Sequence, residues 1–185
     1  NYLKDSNLIE SYELFILTND TFFKNNPLTI LNRLESDCFD YVESTKNTIG
    51  LVDKFNKKFT LDNFNFDSWI RCNFVLLQRD IFIKISNNIL KYTPENTFLD
   101  QNILIKIDSD LIKFIDEWLS QDRYKYFKSI QDIKKKKCCI FNEYNLTYQI
   151  RKFCKVKDIR DFITDNYENI SLHFEKIPTP DGKWI

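Results

Sequence analysis

The stretch SWIRCNFVLLQRDIFIKISNNILKY, residues 68–92, decides the fold that the sequence predicts. Asp67 precedes it as a candidate helix N-cap, and Thr93-Pro94 follows it as a stop, because proline disfavours the helical conformation in the residue before it. Apolar residues recur at helical spacing on more than one side of the stretch: Phe74, Leu77, Ile81, Ile85 and Ile89 on one, and Leu76, Ile83 and Leu90 on another. A helix that is apolar on several sides is a buried one. The stretch therefore predicts a long central helix.

A second long helix is predicted immediately upstream. Asn26 is a candidate cap, and Pro27 suits the first helical position, where its missing N–H costs nothing. From Leu31 to Phe59 an apolar residue recurs every three or four positions, which corresponds to a helix about 40 Å long. Gly50 is expected to weaken or bend it. We expect this stripe to face the core, with a coiled-coil surface for a partner as the alternative.

The remaining segments extend the helical prediction. Residues 6–17, 123–137 and 156–177 have helical spacing, and Asp108-Ser109-Asp110 offers caps for a helix with Leu111 inside. Residues 101–108 and 138–144 are ambiguous and could form one short strand pair. The two glycines and four prolines are too few for the tight turns of an all-β fold. The predicted fold is mainly α, a multi-helix bundle with two long helices and at most one short strand pair. It is a single domain over residues 1–185, with a sub-boundary near residues 94–108.

Composition excludes several classes of function. Gly50 and Gly182 are the two glycines, so no glycine-rich phosphate loop can form. One histidine and five irregularly spaced cysteines provide neither the usual zinc ligand sets nor a disulfide framework. We therefore expect no metal site and no cofactor, and an intracellular protein of the cytoplasm or nucleus. Three Asn-x-Ser/Thr triplets keep secretion open as an alternative. No apolar run reaches the length of a membrane span. The absence of alanine and methionine indicates an AT-rich genome.

Charge is balanced in total but uneven along the chain. Residues 121–160 carry 12 lysines and arginines against 4 acidic residues, or +8, whereas residues 1–120 carry −5 and residues 161–185 carry −3. Aromatic residues are interleaved with these cations, which is typical of single-stranded nucleic-acid binding. The candidate nucleic-acid-binding residues are Arg123, Lys125, Lys134, Lys135, Lys136, Lys137, Arg151 and Lys152. The alternative is that the cations form solvated helix faces or pair with the acidic part of the chain, while the aromatics form core.

The only histidine lies near the C-terminal end of the sequence. His173 follows Asn169 by one helical turn, and Arg160-Asp161, Asn169, His173, Phe174 and Pro178 come in that order. This order resembles the catalytic stretch of the KEN family of ribonuclease domains. The resemblance implies metal-free RNA cleavage, with His173 moving protons and with Asn169 and Arg160 holding the phosphate. It covers only residues 160–178, and Glu168 stands where the family has an arginine.

These observations favour a protein without enzymatic activity. The chain has ample apolar residues for a core but no recognisable phosphate loop, metal set or catalytic constellation, so we assign no catalytic residue. We expect a helical protein–protein interaction module, a scaffold within a larger assembly or a pathogen–host contact, whose partner is another protein. The alternative is an RNA-binding or RNA-cleaving helical domain. It would use residues 121–160 and His173, with Arg160 and Asn169 beside it. The sequence leaves the oligomeric state open.

Overall fold

A computed structural model describes residues 8–18, 22, 28–61, 64–89, 109–119 and 130–168. A short 3-10 turn at Leu8–Ser11 precedes the strands and helices. In chain order these are β1 (Leu14–Thr18), α1 (Leu28–Thr45), β2 (Thr48–Leu61), β3 (Phe64–Gln78), α2 (Arg79–Ile89), α3 (Ser109–Leu119), α4 (Ile130–Phe153), β4 (Val156–Asp158) and α5 (Ile159–Asn166).

The strands form a mixed sheet in the order β1-β3-β2-β4. β1 runs antiparallel to β3, with Ile16 opposite Leu76, and β4 runs parallel to β2, with Thr48 opposite Val156. β2 and β3 are neighbours along the chain and in the sheet, separated only by residues 62 and 63. Strands β1 and β4 therefore form the two edges.

The chain divides into two compact units. The first comprises Asn1–Val52, Ile70–Asn87 and Gln149–Phe174, and the second comprises Asp53–Trp69, Asn88–Tyr148 and Glu175–Ile185. The division does not follow the order of the chain: both long strands, β2 and β3, contribute residues to both units. The single domain with a sub-boundary near residues 94–108 stays a prediction, since those residues lie outside the described ones.

The first unit buries one side of α1 against the sheet. Leu34, Cys38 and Val42, at four-residue spacing, lie on that side and are at most 3% exposed. They pack with side chains of β2, β3 and α5, namely Ile49, Leu51, Phe74, Leu76, Ile159, Phe162 and Ile163. Each such buried aliphatic or aromatic side chain stabilises the fold by about 1.5–3 kcal/mol. This packing holds α1 over one face of the sheet.

The second unit has a largely aromatic core centred on Phe55. Its ring stacks on Trp69 at 4.8 Å between centroids and meets Phe59 edge-on at 4.9 Å. Tyr144 from α4 lies 5.6 Å from the same ring, and Leu111 and other side chains of α3 complete the cluster. Aromatic pairs at these separations add about 0.5–1.5 kcal/mol beyond their buried area.

The prediction of a mainly α, multi-helix bundle with two long helices is wrong. Residues 68–78, which were expected to begin the central helix, belong to strand β3, whereas residues 79–89 are helical and residues 90–92 lie outside the described residues. Ile70, Val75, Leu76 and Leu77 are fully buried, so this part of β3 is covered on both faces. A strand covered on both faces has a continuous apolar run rather than an alternating one, and such a run has no period that separates it from a buried helix.

The predicted helix along the Leu31–Phe59 stripe is likewise only half correct. α1 ends at Thr45, where the Thr45 hydroxyl donates to Tyr41 O at 2.6 Å, and Lys46 adopts a left-handed backbone with φ 60°. A left-handed residue at this position is a common helix terminator. The apolar positions beyond it lie on β2, so Gly50 sits in a strand and bends no helix.

Shorter predictions had mixed outcomes. The helix that begins after Asp108 is confirmed as α3, with Leu111, Ile115 and Leu119 buried. Residues 14–17 are strand rather than helix, and residues 138–144 are helix rather than strand. The helix expected from residue 156 begins only at Ile159, after β4, and is capped by Tyr167 at its C-terminal end. The helix expected over residues 123–137 is confirmed over residues 130–137, which begin α4. Residues 101–108 and 123–129 lie outside the described residues.

Candidate interaction groove

An apolar groove opens in the first unit beside the edge strand β1. Its volume is about 170 Å³. Strand residues form its floor and α1 forms one wall; the lining residues are Ile16, Phe22, Asn32, Leu34, Glu35, Cys38, Phe39, Phe74, Leu76 and Ile159. Of these, only Asn32 and Glu35 are polar or charged. An engineered apolar cavity of about 150 Å³ holds a benzene-sized group, so this groove is large enough for one aromatic or branched aliphatic side chain.

Strand β1 holds Ile16 at the groove, and the preceding residue, Phe15, anchors the strand on its other face. Ile16 lies opposite Leu76, whose side chain also lines the groove. Phe15 points to the other face, where its ring stacks on Phe82 of α2 at 4.3 Å between centroids. Successive side chains of a strand alternate between faces, so the Phe15 contact fixes Ile16 toward the groove. Ile16 nevertheless remains 45% exposed, so part of its side chain is accessible at the groove.

The backbone of β1 has a defined orientation at this edge. Arg79 N donates to Glu13 O at 2.8 Å, so residue 13 belongs to a hydrogen-bonded pair with β3. Hydrogen-bonded and non-hydrogen-bonded pairs alternate along antiparallel strands. The odd-numbered residues of β1 therefore direct their N–H and C=O groups toward β3. Ile16 and the other even-numbered residues direct theirs toward the outer edge of the sheet.

Among the described residues, Glu35 is the charged one that lines the groove. The other described carboxylates of α1 lie at different cavities: Asp37 and Asp40 beside Lys157, and Glu43 beside Arg79. Cys38 forms part of the apolar wall of the groove. Burial, together with the nearby Asp37 charge, raises the pKa of the Cys38 thiol to about 12. The wall therefore stays neutral at physiological pH.

Two other surface cavities of the first unit are polar and contain ion pairs formed within the unit. One, of about 380 Å³, contains Arg79, which lies 3.1 Å from a Glu13 carboxylate oxygen. The other, of about 440 Å³, contains Lys157, whose Nζ donates to Asp165 at 2.6 Å. That hydrogen bond raises the pKa of Lys157. These charges neutralise each other locally, so neither cavity has the unbalanced apolar character of the groove.

Arg160, one of the candidate catalytic residues, is held by contacts with Asp158 and with the backbone of β2. Its guanidinium lies 2.7 Å from an Asp158 carboxylate oxygen and donates to Val52 O. Asp158 in turn caps α5 by accepting from Arg160 N at 2.9 Å. The arginine thus links the start of α5 to strand β2. Asn169 and His173 lie outside the described residues, so their proximity to Arg160 stays a prediction.

The basic segment is described only in part. Arg151 is half-buried and Lys152 exposed in the last turn of α4. Lys134–Lys137 lie within α4, and four consecutive helical positions are distributed around the axis because one turn takes 3.6 residues. Arg123 and Lys125 lie outside the described residues. A common nucleic-acid-binding surface formed by these eight residues therefore stays a prediction.

The aromatics of the same segment serve other roles where the structure describes them. Tyr144 and Tyr148 are buried in the second unit's core, and Phe153 lies beneath the Lys84 ammonium, 5.5 Å from its ring centroid. These three rings pack against other groups of the protein. For Tyr144 and Tyr148 this agrees with the alternative interpretation of the sequence, in which the aromatics form core. Base stacking needs accessible ring faces, which the two core tyrosines do not offer.

Sequence reasoning missed the residues that form the groove. Ile16 was assigned to a helix, and Glu35 was not singled out. The run LFILT at residues 14–18 has the short length and apolar character of a strand, and that signal could have placed β1. The local sequence does not show that α1 and β3 meet beside β1, because these contacts join residues that are far apart in the chain.

The described residues meet the requirements neither of a metal site nor of a membrane-spanning helix. Within those residues, no group of three or more His, Cys, Asp or Glu side chains is placed to hold a metal ion. None of the described helices combines the length and apolar character needed to cross a bilayer.

No protein-family model matches this chain, and comparisons with curated proteins and with solved structures give no match either.

Proposed function

We propose that this chain is a non-enzymatic protein–protein interaction module that works within a larger assembly and binds a segment of another protein in the groove beside β1. The observation that carries the proposal is the combination of an apolar groove with an exposed apolar residue, Ile16, at the edge of a sheet. An apolar side chain of another protein that entered this groove would be removed from water together with part of Ile16, which favours association.

The Leu31–Phe59 stripe is not the surface of this module. The sequence favoured a core position for the stripe, with a coiled-coil surface for a partner as the alternative. Its α1 residues Leu34, Cys38 and Val42 are covered by the sheet, and Phe55 and Phe59 are buried in the second unit. The stripe is therefore core, and the sheet edge with its groove is the surface that supports the proposal.

A peptide selection tests the proposal directly. The full chain is immobilised and used to select from a random displayed-peptide library, and the enriched peptides are then measured by fluorescence anisotropy against wild type, Ile16→Asp and Tyr12→Asp. Tyr12 is the matched control, because it is a large exposed side chain, 59% accessible, that does not line the groove. Circular dichroism establishes that both variants fold.

The expected result is that enriched peptides bind wild type and Tyr12→Asp equally and bind Ile16→Asp at least tenfold more weakly. A tenfold loss corresponds to about 1.4 kcal/mol, a modest demand for a carboxylate facing an apolar side chain. Failure to enrich any peptide, or enriched peptides that ignore Ile16→Asp, would remove the groove as the binding site.

A further inference from the structure

We draw no further inference here: the strongest candidate, the apolar groove beside the edge strand β1, belongs to the site already described, and nothing in the structure shows what covers it.

Discussion

Replacing Gly50 by alanine should destabilise the first unit, because the sheet leaves no room for a methyl group there. A Cβ at this position would lie 2.9 Å from Cγ2 of Ile70, whereas Phe74 O and Val156 Cγ1 are at ordinary contact distances of 3.6 and 3.7 Å. Ile70 is fully buried, and its Cγ2 is attached directly to Cβ. It can move only by a change of χ1 or of the strand itself.

The size of the effect follows from two opposing contributions. Overpacking a core by one methyl group costs about 1–3 kcal/mol. Alanine also reduces the conformational freedom of the unfolded chain, which returns about 0.4–1 kcal/mol. We therefore expect the free energy of unfolding to fall by about 1–2 kcal/mol.

Urea unfolding followed by circular dichroism measures this change. The matched control is Lys54→Ala, an exposed position of the same strand, which should change stability by less than about 0.5 kcal/mol. Ile70→Leu keeps the side-chain volume and removes Cγ2, so Gly50→Ala should cost less in that background. The same loss in both backgrounds would show that the contact with Cγ2 is not the cause.

Three further predictions address the remaining features. Arg160→Gln should lower the free energy of unfolding by about 1–2 kcal/mol in urea titrations, because charged hydrogen bonds to Asp158 and the backbone are lost; unchanged stability would contradict this structural role. The free energy of unfolding of wild type relative to Cys38→Ala should be constant below pH 9 and fall as pH rises toward 12. The thiol's ordinary pKa is 9.0 and burial raises it to about 12, so the unfolded thiol ionises while the folded one stays protonated; a flat difference would refute this. Labelled single-stranded RNA should show no saturable binding at low salt, whereas binding that weakens steeply with salt would revive the RNA alternative, and His173→Ala would then test cleavage.

How much of the fold could be predicted depended on where each segment is buried. α1 and α3 were predictable because each has one apolar side and polar residues around it, and Pro27 marked the entry to α1. β2 was not, because Ile49, Val52, Phe55 and Phe59 follow one another at spacings of three and four. In the structure Ile49, Leu51, Val52 and Asp53 are all buried in succession, so neither strand nor helix periodicity survives there.

The candidate site was even less accessible to sequence reasoning. Ile16 meets Leu76 across sixty positions of the chain, and Glu35 joins them only because α1 packs on that face. Local patterns carry no information on such pairing. The basic, aromatic segment has the composition of a nucleic-acid-binding surface, but its Tyr144 and Tyr148 are core residues. Interleaving of cations and aromatics cannot distinguish a helix with a solvated side and a buried side from a nucleic-acid surface.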